Sequence, residues 1–270
     1  MLSAISHPFL WFFIIKGCLI KILGVIPARY GSTRFPGKPL VDILGKPMIW
    51  WVYQQAKRAK KLTNLIVATD DERISRVCDK FDIPLMMTRE QPNCFHRLHK
   101  VSLSIKADKY LLINGDEPLM EREVIQEMIN EVILKNPYHL IAYRSFDDPV
   151  GVIDNRNIKI TLSGDKIVYL SRSPIPYPHK SINFEYNKII GLQALSKEAL
   201  EFFVNTQEGF LEKIEDIAEL RWVKNHKITN CKKVNSRSIA VDNPKDLAIV
   251  KSILQEKLKN EELNYTKEIL

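Results

Sequence analysis

The sequence predicts an α/β protein in which a mostly parallel sheet flanked by helices is followed by a smaller antiparallel β lobe. Short apolar runs at 22–26, 65–69 and 85–88 alternate with segments of helical period at 48–60 and 72–81, the βαβαβ rhythm of a parallel sheet. From about residue 140 the pattern changes to short alternating stretches at 140–143, 158–162 and 167–169, separated by Asp, Asn and Gly, which suits antiparallel strands. The first apolar run also opens into a turn rich in Gly, Pro, Ser and Arg, placed where open α/β sheets bind ligands.

Residues 22–26 read as a strand buried on both faces. The turn after it holds Arg29, Arg34 and Lys38 within ten residues, and its cations and backbone N–H groups suit a polyphosphate. It contains neither GxxxxGKS/T nor GxGxxG, so no Walker loop or dinucleotide fingerprint is present. In 48–60, Ile49, Val52, Tyr53 and Ala56 share one helical face, and Lys57, Arg58, Lys60 and Lys61 close the last turn. Strand 65–69 ends in Asp70 and Asp71, helix 72–81 and strand 85–88 follow, and right-handed crossovers align the strand ends along one edge. Segment 91–100 starts another helix, where His96 and His99 have a metal-site spacing but no carboxylate nearby and read as non-metal.

The fourth strand, 110–113, delivers Asn114, Gly115, Asp116, Glu117 and Pro118. A carboxylate just past a buried strand, halted by Pro, suits a hard cation near phosphates, which makes Asp116 a candidate metal ligand. Helix 121–134 precedes the antiparallel stretches. Residues 171–178 are held extended by alternating prolines, and 210–223 reads as one amphipathic helix carrying Glu212, Glu215 and Glu219. Asn243 caps a last helix at 245–258.

Composition narrows the function classes. With 270 residues, 45% hydrophobic and 27% charged, the chain has the makeup of a globular protein of one large or two small domains. The net charge of +8 is scattered and shows no basic stripe with interleaved aromatics, so nucleic acid is not an expected partner. Four cysteines, at 18, 78, 94 and 231, form no CxxC pair, which points to a reduced, cytoplasmic chain. The apolar run 9–15 is too short for a membrane helix, so no stable membrane insertion is expected, and 1–20 reads either as an N-terminal extension packed on the domain or, the favoured reading, as translation assigned from an upstream start.

Five segments in order carry a family resemblance: IPARYGSTRFPGKPL at 26–40, VATDDERI at 67–74, NGDEPL at 114–119, LSRSPIPYP at 170–178 and VDNPKDL at 241–247. Together they resemble the 3-deoxy-manno-octulosonate cytidylyltransferases. The resemblance implies a Rossmann-like fold of the nucleotide-diphospho-sugar transferase type over residues 21–258, with a lobe at about 140–190 for sugar and dimer contact and a charged tail at 259–270. It implies Mg2+ as cofactor, CTP and an acidic sugar as partners, a homodimer, and a place in lipopolysaccharide biosynthesis. Ala28, Arg29, Gly31, Ser32, Arg34, Lys38 and Arg89 would bind the nucleotide, and Lys38, Arg29 and Asp116 would be catalytic. Asp116 and Asp242 would hold the metal, and Asn114, Arg172, Gln193, Glu212 and Glu215 would meet the sugar. Glu219 reads equally well as part of a solvated face with Lys213 and Arg221.

The departures from the family pattern fall on the sugar side. NCFHRL stands at 93–98 where the family has SGTERL or SGTDRL, and Asn114 replaces a Gln. IIGLQ at 189–193 replaces HIGIY, putting Ile189 in place of a His and Gln193 in place of a Tyr. The expectation is therefore a cytidylyltransferase for 3-deoxy-manno-octulosonate or a close analogue. A noncatalytic CTP-binding homologue that has lost its sugar site is the competing reading.

Overall fold

The computed structural model describes residues 20–31, 35–180, 184–260 and 262–263. The expectations for 1–19, for Ser32 and Arg34 and for the tail beyond 263 lie outside these residues. The first run forms β1 (Ile22–Ala28), and a 3-10 turn at Lys38–Leu40 leads into the two-residue ladder of β2 (Asp42–Ile43) and β3 (Lys46–Pro47). Then come α1 (Met48–Lys57), β4 (Asn64–Thr69), α2 (Glu72–Lys80), β5 (Leu85–Met87), α3 (Cys94–Ser104), β6 (Lys109–Ile113) and α4 (Arg122–Lys135). The second half contributes β7 (His139–Ser145), α5 (Pro149–Ile153), β8 (Lys159–Ser163), β9 (Lys166–Ser171), β10 (Asn187–Ser196) and α6 (Lys197–Asn205). The chain continues through α7 (Phe210–Glu215), α8 (Leu220–Lys224), β11 (Asn230–Lys233) and α9 (Pro244–Lys259).

The large sheet has nine strands in the order β5-β4-β1-β6-β10-β7-β11-β9-β8. Its first four are parallel, with Ala28 opposite Thr69 and Val25 opposite Leu112, so their carboxyl ends share one edge as expected. The antiparallel part is the far half of the same sheet: β10 runs antiparallel to both β6 and β7, and β8 and β9 form a hairpin. Alternation along the strands divides the core. Ile22, Ile26, Leu111 and Ile113 pack with α1, α4 and α9, whereas Leu23, Val25, Tyr110 and Leu112 pack with α3 and α6. Helices on both faces are why these strands are apolar throughout.

The predicted single helix at 210–223 is two short helices. Asp216 takes a left-handed conformation (φ 50°) between α7 and α8, which frees the carbonyls of Glu215 and Asp216 to accept from the Arg172 guanidinium at 2.6 and 2.8 Å. A continuous helix would spend those carbonyls on its own ladder. The helix after β5 starts at Cys94, because the Asn93 side chain caps it by accepting from the N–H groups of Phe95 and His96.

Candidate active site

The site forms where the carboxyl edge of the parallel strands meets the antiparallel half of the sheet. Gly37, at φ 70°, takes the left-handed turn that most side chains disfavour and donates its N–H to Tyr30 O at 2.9 Å. That turn starts the 3-10 helix and sends Lys38 back over the sheet edge. The Tyr30 ring beside it is covered by the Arg73 guanidinium, 3.3 Å from the ring centre, and Arg73 is itself chelated by Asp71.

Asp116 follows β6 and Asp242 precedes α9, yet the backbone joins them: Val241 N–H donates to Asp116 O at 2.9 Å. Asp246, in a capping box with Asn243, accepts from the N–H groups of Asp242 and Asn243 and fixes the approach to the helix. Lys38 Nζ reaches both carboxylates, at 2.6 Å from Asp116 Oδ2 and 3.4 Å from Asp242 Oδ1. The other oxygen of Asp116, Oδ1, is buried and has no hydrogen-bond partner. A buried carboxylate oxygen left unsatisfied in an all-oxygen pair is the donor chemistry of a hard divalent cation, so these residues fit Mg2+. Among the described residues no group of three or more His, Cys, Asp or Glu has metal-holding geometry, and Asp116 and Asp242 are the carboxylates that Lys38 brings together.

Asp116 and Asp242 border a cavity of about 410 Å³ whose wall includes Asn114, Arg172 and Gln193. The floor is set by a bulge in β10: between Ile189 and Gln193 this strand advances four residues while β7 advances two, from Tyr143 to Ile141. Gly191 at the bulge accepts from Asn114 N–H at 2.8 Å and donates to Glu117 Oε1 at 2.7 Å. Glu117 is 5% exposed, and burial, with Asp116 next to it, raises its carboxyl to about 7.

Gln193 is buried with both ends of its amide engaged. Its Nε2 donates to Glu219 Oε1 at 2.6 Å, and its Oε1 lies 2.9 Å from His139 Nε2. Burial pulls His139 down to about 4, so its ring is neutral and serves as the donor to that carbonyl. Burial also raises the Glu219 carboxyl, which lies in the cavity wall. Asn114, Gln193 and Arg172 thus reach one cavity, although the Arg172 guanidinium is spent on the carbonyls of Asn155, Glu215 and Asp216.

Other predicted residues lie elsewhere. Glu215 receives the Ser171 hydroxyl at 2.6 Å and Arg172 N–H at 2.8 Å, tying α7 to the end of β9. Glu212 is outside the cavity wall: both its oxygens are held by Arg221 at 2.5 and 2.9 Å in a buried pair. Ala28 is buried at the end of β1, Arg29 and Gly31 are exposed just beyond it, and Arg89 is exposed after β5, all on the same sheet edge. Sequence reasoning overlooked Glu117, His139 and Lys188. Glu117 carried a weak signal, a second acid directly after Asp116 at the end of a buried strand. His139 and Lys188 carried none.

Fold and site together define a nucleotidyltransferase. The family model described as Cytidylyltransferase matches residues 23–233. The 3-deoxy-manno-octulosonate cytidylyltransferase of Bdellovibrio bacteriovorus is 33% identical over 243 residues, covering 87% of this chain and 98% of its own. The 8-amino-3,8-dideoxy-manno-octulosonate cytidylyltransferase of Shewanella sp. is 35% identical, covering 84% and 96%. Among solved structures, a CMP:2-keto-3-deoxy-manno-octonic acid synthetase complexed with CTP superposes with a TM-score of 0.83 at 29% identity, covering 88% of this chain and 99% of its own. The chain belongs to the 3-deoxy-manno-octulosonate cytidylyltransferase family of the cytidylyltransferases.

Proposed function

We propose that this protein joins CTP and a 3-deoxy-2-ulosonic acid, 3-deoxy-manno-octulosonate or a close analogue such as its 8-amino form, to give the CMP-sugar and pyrophosphate. The observation that carries the reading is Lys38 held between Asp116 and Asp242 at the rim of a polar cavity, in a chain whose relatives bear these activities by name. The sugar's anomeric hydroxyl attacks the α-phosphorus of CTP, and the bond to the β-phosphate oxygen breaks. Transfers of this kind depend mainly on positioning and charge neutralisation.

Asp116 and Asp242 are the residues to hold Mg2+, which would supply charge neutralisation and orientation at the phosphates. Lys38, poised between them, turns its ammonium to the triphosphate and steadies the departing pyrophosphate, while Arg29 and the backbone at Gly31 bind phosphate oxygens from the strand edge. Ser32 and Arg34, between Gly31 and Lys38 in the sequence, would add to these phosphate contacts, and Arg89 would serve the cytosine side. Exposed apolar residues on α7, Phe210 at 72% and Ile214 at 66%, support association of two copies as a homodimer. The unbridged Cys78, Cys94 and Cys231 suit the cytoplasm, and no helix among the described residues is long and apolar enough to cross a membrane.

Pyrophosphate release with CTP, Mg2+ and a panel of octulosonic and nonulosonic acids, including the 8-amino-3,8-dideoxy sugar, tests this reading. Turnover with at least one octulosonic acid is expected. CTP binding without turnover of any acid would leave a noncatalytic homologue.

A further inference from the structure

The register of the antiparallel half sets three cations in one row. Lys188 of β10 lies directly opposite Arg144 of β7 on one side and Lys159 of β8 on the other, so the three side chains leave the same face of the sheet. Like charges paired across strands destabilise a sheet unless something neutralises them. The outer two are accounted for. Arg144 donates to Asp147 Oδ2 at 2.6 Å and to Ser145 O at 3.1 Å. Lys159 is wholly buried and gives its three protons to the carbonyls of Asp154, Asn157 and Arg172.

Lys188, in the middle, has only neutral partners at contact distance among the described residues. Its Nζ donates to Asn157 Oδ1 at 2.8 Å and sits 5.4 Å from the centre of the Phe146 ring. Asn157 is held in that orientation by its own Nδ2, which donates to Gly151 O at 2.9 Å. Glu117, Asp147 and Asp154 act on Lys188 from farther away, without an ion pair. Burial first, and then Arg144, lower its pKa, the signature of an ammonium short of a counter-ion. Lys188, Arg144, Phe146 and Asn157 all line the cavity beside Asp116. Arg144 Nε, a buried donor in the same wall, has no hydrogen-bond partner.

We infer that Lys188 is the receptor for the carboxylate of the acidic sugar, with Asn157 and Phe146 orienting its ammonium and Arg144 adding to the local positive potential. This deepens, and rests on, the assignment of the cavity to a 2-ulosonic acid. The other cations in the cavity wall, Arg144, Arg156 and Arg172, are engaged by Asp147, by Asp154 and Asp246, and by backbone carbonyls and Asp216, respectively. Among the described residues Lys188 is the lining cation without an ion pair, and a desolvated ammonium–carboxylate contact is worth far more than one in water.

The test compares 3-deoxy-manno-octulosonate with its C1 amide, in the wild type and in Lys188→Met and Lys188→Arg. Steady-state turnover with CTP is measured, together with calorimetric binding of each sugar in the presence of CMP. The wild type is expected to prefer the acid. Lys188→Met, which keeps the apolar stem, is expected to lose about 30- to 100-fold in affinity for the acid, to leave the amide and the KM for CTP unchanged, and to be partly rescued by Lys188→Arg. An unchanged acid-to-amide ratio in Lys188→Met would overturn the assignment while leaving the proposed reaction standing. Absence of turnover in the wild type would instead remove the reaction, and the ratio from calorimetry would still decide Lys188.

Discussion

Gly191 and Glu117 are packed so closely that the glycine N–H donates to Glu117 Oε1 at 2.7 Å and a Cβ on the glycine would stand 2.3 Å from that same oxygen. The same Cβ would come within 2.6 Å of the Asn114 side chain. Gly191→Ala must therefore displace the loop that carries Asp116. We expect a loss of about 2–3 kcal/mol from the overpacking, and catalysis to fall more than CTP binding. A thermal melt within 1 °C of the wild type, with full activity, would refute this account of the bulge.

Glu117 also gives the stability curve a sign. Its carboxyl rises from 4.5 in the free residue to about 7 in the fold, so the folded state binds the extra proton between those values. Stability contributed by protonated Glu117 is fully present below about 4.5 and is lost as pH rises through about 7. Glu117→Gln keeps the acceptor for Gly191 N–H and removes the titration. Urea unfolding across pH 4–8 should show the variant gaining on the wild type with rising pH, by about 3 kcal/mol at pH 8. Parallel curves would contradict the raised value.

Much of this was legible in the sequence. The parallel half follows from apolar runs and helical periods alone, and Asp116 from the end of its strand. What the sequence did not show has a physical reason in each case. Helix 210–223 looks continuous because its apolar spacing is helical throughout, but the break at Asp216 is stabilised by the distant Arg172. Lys188 sits in the stretch NKIIGLQ, where nothing local distinguishes a solvated lysine from one set between two other cations by strand register. The β10 bulge that brings Gly191 against Glu117 depends on pairing with β6 and β7, which are far from it in sequence.

Asp116 and Asp242 should behave as a unit, since Lys38 contacts both and Asp116 Oδ1 lacks any other partner. Replacing either with Asn should remove most of the turnover at saturating Mg2+, and the double variant should cost little more than one alone. Both single variants should fold, because each carboxylate lies in a loop beyond its strand or before its helix. Near-native turnover in Asp116→Asn would end the metal assignment.

Gln193 transmits between His139 and Glu219 by using both ends of its amide. Gln193→Met keeps the length and takes the hydrogen-bond partner from Glu219 Oε1 and from His139 Nε2, at about 1–3 kcal/mol for each group. The sugar acid accepted, or its KM, should change while CTP affinity stays within about twofold. Equal loss of CTP and sugar binding would show that the three residues serve the fold rather than the cavity wall.

Glu212 sets the opposite expectation, because its place in the chain suggests a sugar contact and its geometry does not. Both oxygens are taken by Arg221, whose guanidinium also lies 3.9 Å from the Phe203 ring centre and donates to Phe203 O at 3.0 Å. The pair is sealed: the side chains are 4% and 7% exposed. Removing one partner leaves the other charge buried and unopposed, so Glu212→Ala should cost about 3–5 kcal/mol of stability, whereas replacing both residues with apolar ones of similar volume should recover most of it. At a temperature where the single variant remains folded, its KM for the sugar should match the wild type. A raised sugar KM at unchanged stability would return Glu212 to the binding site.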